Sequence, residues 1–87
     1  MKKIVLITAL WCPSCLIMRP RYQTIVKSHP DLMMEEFDYD ENPQLVKDKK
    51  IGSTLPVAII YDEQDKEISR FVGELSPKKL IEKIEQL

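Results

Sequence analysis

The sequence predicts a small α/β fold of order βαβαββα, with a mixed four-stranded sheet flanked by helices. Three observations predict it. An apolar, β-rich run from Ile4 through Trp11 follows the first two lysines, and a run this short suits a strand buried on both faces. Pro13, Pro43 and Pro77 each follow a candidate helix cap, namely Cys12, Asn42 and Ser76, and proline is favoured at the first helical position because its missing N–H has no partner to lose there. Two further runs, Val57 to Tyr61 and Lys66 to Val72, flank the turn-forming segment Asp62 to Asp65, which is the pattern of a hairpin.

Each element follows from local chemistry. Residues 2 to 9 form the first strand. Pro13 opens a helix that runs to about Ser28, with Cys15, Met18, Tyr22, Ile25 and Val26 recurring at helical spacing. Pro20 lies inside it and should kink it, since it removes a backbone bond and crowds the preceding turn. His29-Pro30-Asp31 ends the helix. From Leu32 to Tyr39, Phe37 and Tyr39 alternate with Glu36, Asp38 and Asp40, the period of a strand with one wetter face. Asn42 and Pro43 begin a short helix carrying Leu45 and Val46, which fades through Lys47 to Lys50. A loop from Ile51 to Leu55 precedes Pro56, the two hairpin strands follow, and Gly73 closes them. Ser76 caps the last helix, with Leu75 and Leu80 placed as a hydrophobic staple and Leu80, Ile81, Ile84 and Leu87 along one face. By the right-handed crossover rule the first two strands should lie parallel, while the third and fourth pair antiparallel.

Composition limits the function classes. Eighty-seven residues support one core, and residues 1–87 are expected to form a single domain. With 44% hydrophobic and 31% charged residues the chain should be globular. Thirteen Lys and Arg against 14 Asp and Glu leave no field to gather polyanions, so nucleic acid is not expected as a partner. Met1-Lys2-Lys3 and the apolar run imitate a secretory signal, yet no small-x-small cleavage site follows, and no stretch nears the 18 or so apolar residues of a membrane span. The expectation is a cytoplasmic monomer without membrane attachment. Its two cysteines stand three apart, so they cannot staple distant parts of the chain and their use should be chemical.

With Cys12 at the cap of the first helix, its sulfur faces the free N–H groups near Ser14 and Cys15 at the positive end of the helix dipole, and both effects stabilise a thiolate. Cys12 is therefore the candidate nucleophile. Cys15, one turn inward, is the candidate resolving thiol. The spacing matters because one helical turn brings two sulfurs within bonding reach on a rigid element.

Cys-x-x-Cys alone is a weak signal, and its context sharpens it. Trp11-Cys12-Pro13-Ser14-Cys15 opens a helix after a strand, Thr54-Leu55-Pro56 precedes the third strand, and Gly73 follows the fourth. Pro20 lies five residues after the second Cys, Asp38, Asp40, Asn42 and Pro43 form an Asp-x-Asp-x-Asn-Pro run, and the hairpin ends in Gly73-Glu74-Leu75-Ser76. Over nearly its whole length the chain resembles the thioredoxin family. The resemblance implies a minimal thioredoxin-like fold, lacking the strand and helix that precede the first strand in longer members. It implies a cis bond before Pro56, which would face the sulfurs and leave the backbone of Leu55 free to pair with a substrate segment. Trp11, Pro13, Thr54, Leu55, Pro56 and Gly73 would form the substrate-binding groove. It also implies thiol-disulfide exchange without a metal or organic cofactor. The partners would be disulfide-containing proteins or small thiols, and a dithiol reductase such as thioredoxin reductase.

Departures from the family pattern are specific. Thioredoxins carry a buried Asp six residues before the first Cys, where this chain has Leu6, and the Lys that partners it falls on Glu36. A carboxylate could thus approach the resolving thiol from the second strand, making Glu36 a candidate proton acceptor; the competing reading is a charge guarding an open sheet edge. Size and Pro13 also suit glutaredoxins. However, Ala9 replaces their Lys, and Val72-Gly73-Glu74-Leu75 replaces their Gly-Gly and Asp, so no dedicated glutathione pocket is expected.

Other classes compete. A zinc site needs about four ligands, and beyond the cysteines only His29, at the far end of the helix, is a conventional soft ligand. Small copper carriers also place Cys-x-x-Cys between a first strand and helix, but with Met where this chain has Leu10 and in the order βαββαβ. A redox-switched binding module using the same groove without turnover is the remaining alternative. Met33 and Met34 are expected to pack, and Arg19 and Arg21 to face solvent, the competing reading being that they raise the local positive potential or meet a partner reductase.

Overall fold

A computed structural model describes all 87 residues. Its elements are β1 (Lys2–Thr8), α1 (Pro13–Ser28), β2 (Leu32–Asp38), α2 (Pro43–Asp48), β3 (Val57–Tyr61), β4 (Glu67–Val72) and α3 (Pro77–Glu85). The order is βαβαββα, as the caps and periodicities predict, and it differs from the copper carriers' βαββαβ. The sheet runs β2-β1-β3-β4, with β1 parallel to β2 and antiparallel to β3, and β3 antiparallel to β4.

The two most apolar runs take the centre of this sheet because they alone can be buried on both faces. Side chains alternate across a strand, so each run feeds two cores. Ile4 and Leu6 of β1 and Ala58 and Ile60 of β3 meet Met18, Tyr22 and Ile25 of α1, and Leu80 and Ile84 of α3. On the other face Val5, Ile7, Val57, Ile59 and Tyr61 cluster with Ile51, Leu55 and the two cysteines, and Phe37, Leu45 and Val46 pack around them. Each fully buried Ile or Leu contributes about 1.5–3 kcal/mol.

Helix ends match their signals with one exception. Ser76 Oγ accepts the Lys79 N–H at 3.2 Å. Asn42 makes no such bond; its Nδ2 donates instead to the Asp38 carbonyl at 2.9 Å, tying the end of β2 to the start of α2. In the hairpin, β4 begins at Glu67 rather than Lys66. The Asp62 carboxylate accepts the N–H groups of Gln64 and Lys66 (2.8 and 3.0 Å), so Lys66 is held in the turn.

Three surface expectations are corrected. Met33 is exposed, because its face of the edge strand β2 is open where Met34 packs against the core. Ile81 is partly exposed, since α3 buries only Leu80 and Ile84 fully. Arg19 and Arg21 do not project freely: Arg21 Nη1 donates to the Leu75 carbonyl at 2.7 Å, joining α1 to the approach of α3, and Arg19 is paired as described below.

Tyr22 is wholly buried and its hydroxyl has no partner. An unpaired buried hydroxyl costs about 1–3 kcal/mol. Tyr22→Phe should therefore raise the urea midpoint, by the equivalent of about 1 kcal/mol, whereas Leu80→Ala should lose about 2–5 kcal/mol through the cavity it leaves. A lowered midpoint for Tyr22→Phe would show that the hydroxyl is bonded in solution.

Candidate active site

Ala9 to Cys12 carry the chain from the end of β1 into α1. Cys12 is the N-cap in extended conformation, and its Sγ accepts the Cys15 N–H at 3.3 Å. The first turn of α1 contains no acidic residue of its own. The Cys12 thiol in turn donates to the Leu55 carbonyl at 3.6 Å. Cys12 is 7% exposed and Cys15 2%, the order expected of an outer and an inner thiol. Both are unbridged.

Burial pushes the Cys15 thiol up from an ordinary 9.0 to about 12, and its hydrogen bond with the Cys12 sulfur adds to the rise. The backbone at Ala9 and the positive charge of Arg19 act in the opposite direction. The inner sulfur is thus a protonated thiol at neutral pH.

The loop before β3 faces this pair. The Leu55–Pro56 bond is cis, and Pro56 is buried. Its carbonyl accepts the Gly73 N–H at 2.8 Å. Gly73 has φ +80°, a conformation that favours glycine, and a Cβ there would lie 3.4 Å from Thr54 Cγ2. Thr54, Pro56 and Gly73 are therefore gathered at one place, with Leu55 reaching to Cys12. Trp11 is 56% exposed; its Nε1 donates to Asp40 Oδ2 at 2.7 Å and its ring meets Tyr39 edge-on at 5.9 Å. Pro13 is exposed at the first position of α1.

Glu36 is bonded to Thr8 and Arg19. Its Oε2 accepts from Thr8 Oγ1 at 2.8 Å and from Arg19 Nε at 2.8 Å, and lies 2.6 Å from Arg19 Nη2. Sequence reasoning did not foresee this pairing, nor the support of Trp11 by Asp40, nor the bond from Ser14 Oγ to Glu74 Oε1 at 2.9 Å. The Asp-x-Asp-x-Asn-Pro run marked Asp40 as part of a pattern without indicating its partner. His29 sits at the far end of α1, its Nδ1 2.8 Å from the Ile25 carbonyl, in a helix-end role.

The thioredoxin family's sequence model matches residues 1–86. The chain is 32% identical to thioredoxin H5 of Oryza sativa over 87 residues, covering 99% of this chain but 62% of that protein, so it spans about three fifths of this plant relative. It is 33% identical over 86 residues to a thioredoxin of Geodia cydonium, covering 97% of this chain and 79% of the relative. Among solved structures, Fasciola hepatica thioredoxin superposes with a TM-score of 0.86 at 25% identity, over 98% of this chain and 79% of that one.

A raised thiol pKa has a sign. The folded state holds the Cys15 proton more tightly than the unfolded chain does, so this contribution to stability is complete below about pH 9 and is lost as pH rises toward 12. Tyr22, also raised by burial, adds to the same alkaline loss. Urea melts between pH 8 and 11 should show stability falling more steeply in wild type than in Cys15→Ser. Parallel curves would show that Cys15 titrates normally.

Proposed function

The chain belongs to the thioredoxin family, and from that premise we propose that it is a thiol-disulfide oxidoreductase that reduces disulfides through a Cys12/Cys15 cycle. One observation carries the reading: the helix N-terminus donates an N–H to the Cys12 sulfur while the Cys15 sulfur waits, protonated and buried, one turn inward. Of the two sulfurs, that of Cys12 belongs to the more exposed residue and is the one placed to meet a substrate. A protonated inner thiol does not compete with it for the substrate.

In the cycle, the Cys12 thiolate attacks one sulfur of a substrate disulfide. A Cys12–substrate disulfide forms, and the other substrate sulfur leaves with the electron pair and takes up a proton. Cys15 then gives its proton to water and attacks Cys12 Sγ, closing the Cys12–Cys15 disulfide and expelling the second substrate sulfur with its electron pair, which takes a proton back from water. The substrate has gained two electrons and two protons. A dithiol donor, such as thioredoxin reductase, returns them.

The groove assigned to docking comprises Trp11, Pro13, Thr54, Leu55, Pro56 and Gly73. The Leu55 backbone already lies against Cys12, and a substrate segment pairing with it would bring its disulfide to the sulfur. The bond to Asp40 and the edge contact with Tyr39 hold the Trp11 ring while leaving more than half of it accessible. We take residues 1–87 as one domain that works as a monomer in a reducing cytoplasm without metal or organic cofactor. No helix is long and apolar enough to cross a membrane.

With dithiothreitol as donor and a disulfide-bonded protein as substrate, Cys12→Ser should abolish turnover, and Cys15→Ser should accumulate the mixed disulfide, visible by mass spectrometry. Wild-type protein that binds such substrates yet reduces none would make it a binding module. The Cys12–Cys15 potential should fall near roughly −270 mV, as for a reductant; a value near about −120 mV would reverse the assigned direction.

A further inference from the structure

The cycle above leaves one requirement unmet. Cys15 must give up its proton in a buried place, yet the position where the family pattern has an acid is Leu6, wholly buried within the apolar core. We infer that Arg19, clamped by Glu36 and Thr8, stabilises the Cys15 thiolate at the moment it attacks the mixed disulfide. The inference rests on the proposed dithiol cycle and assigns its second step.

Arg19 follows Cys15 by four residues on α1, so the two side chains leave neighbouring turns of the same helix face. Its guanidinium is fixed from two strands. Nε and Nη2 both meet Glu36 Oε2 of β2, at 2.8 and 2.6 Å, and Nη2 lies 3.5 Å from Thr8 Oγ1 of β1. Thr8 is itself buried and donates to the same Glu36 oxygen at 2.8 Å. One carboxylate oxygen thus takes three donors, which suits an anchor better than a proton acceptor. Three elements converge on the guanidinium, and its side chain is partly withdrawn from solvent, where a charge is felt more strongly than in water. The effect of Arg19 on the Cys15 thiol is toward ionisation, against the burial that opposes it.

The other groups facing this region do not supply the charge. On α1, Cys12 is the partner sulfur, and it favours the protonated form of Cys15. Along β1 and β3 the neighbours are apolar. On the β2 side, Asp38 and Glu41 border the same surface depression as Arg19 and Glu36; both are acids, and Asp38 Oδ2 is occupied by the N–H groups of Asp40 and Glu41. Arg19 is the one cation of that depression. Its role is electrostatic, while Glu36 and Thr8 are positioning residues that hold the fork.

The test loads Cys12 with 2-nitro-5-thiobenzoate as a mixed disulfide and follows its release by Cys15 across pH 6 to 11. Arg19→Gln should move the release profile to higher pH by about one unit, slowing release at pH 7 roughly tenfold, with the alkaline plateau unchanged. Arg19→Lys, which keeps the charge, should recover most of the shift. Glu36→Gln should leave the profile in place or move it to lower pH, since it removes a charge that opposes Arg19. Superimposable profiles for wild type and Arg19→Gln would overturn the inference while leaving the dithiol cycle intact. So would Glu36→Gln slowing release more than Arg19→Gln, which would return Glu36 to the role of proton acceptor. If the wild-type protein never releases the label, the cycle itself fails and the inference with it.

Discussion

Burial of β1 on both faces is the constraint from which the rest of the molecule follows. A strand reading Ile4-Val5-Leu6-Ile7 cannot leave either side in water, so helices must cover one face and the loop before β3, with α2, must close the other. β3, equally apolar, is the only other strand that can share the centre, which leaves the more polar β2 and β4 at the edges. The chain then emerges from β1 directly into the start of α1. Cys12 is therefore presented at the N-terminus of α1, four residues beyond the end of the buried strand β1.

That placement sets the chemistry of the two sulfurs apart, although they are three residues from each other. One caps the helix and receives an N–H; the other is carried a turn into the core, where desolvation keeps its proton on. Neither effect needs a specialised residue. Both are consequences of where a helix begins relative to a buried sheet.

The edges carry the adjustments. At the open side of β2, Glu36 is joined to Arg19 across the gap to α1, and Lys3 reaches Glu35 at 3.5 Å. Exposed pairs of this kind contribute little to stability, about 0–1 kcal/mol. Their value lies in position: they discourage edge pairing with another chain, and they fix the Arg19 guanidinium against β2. On the opposite flank, Arg21 bonds the backbone at Leu75 and Ser14 bonds Glu74, so the segment after β4 is fastened to α1 at two points.

Most of the fold was legible in the amino-acid sequence because its signals are local. Strand alternation, helical spacing from Cys15 to Ile25, and proline after a capping residue all operate within a few positions, and so does the Cys12–Cys15 pair. The misreadings have the opposite character. Lys66 was lost to the turn because a side chain four residues back holds its N–H. Met33 looked like core because alternation alone does not say which face of an edge strand stays open. The partners of Trp11, Ser14 and Arg19 lie 29, 60 and 17 residues away. By itself, then, the sequence determined the order of elements and the chemical pair they present. The tertiary structure decided which charged and aromatic groups surround that pair, since contacts between distant residues depend on how the sheet brings the elements together and leave no periodic trace along the chain.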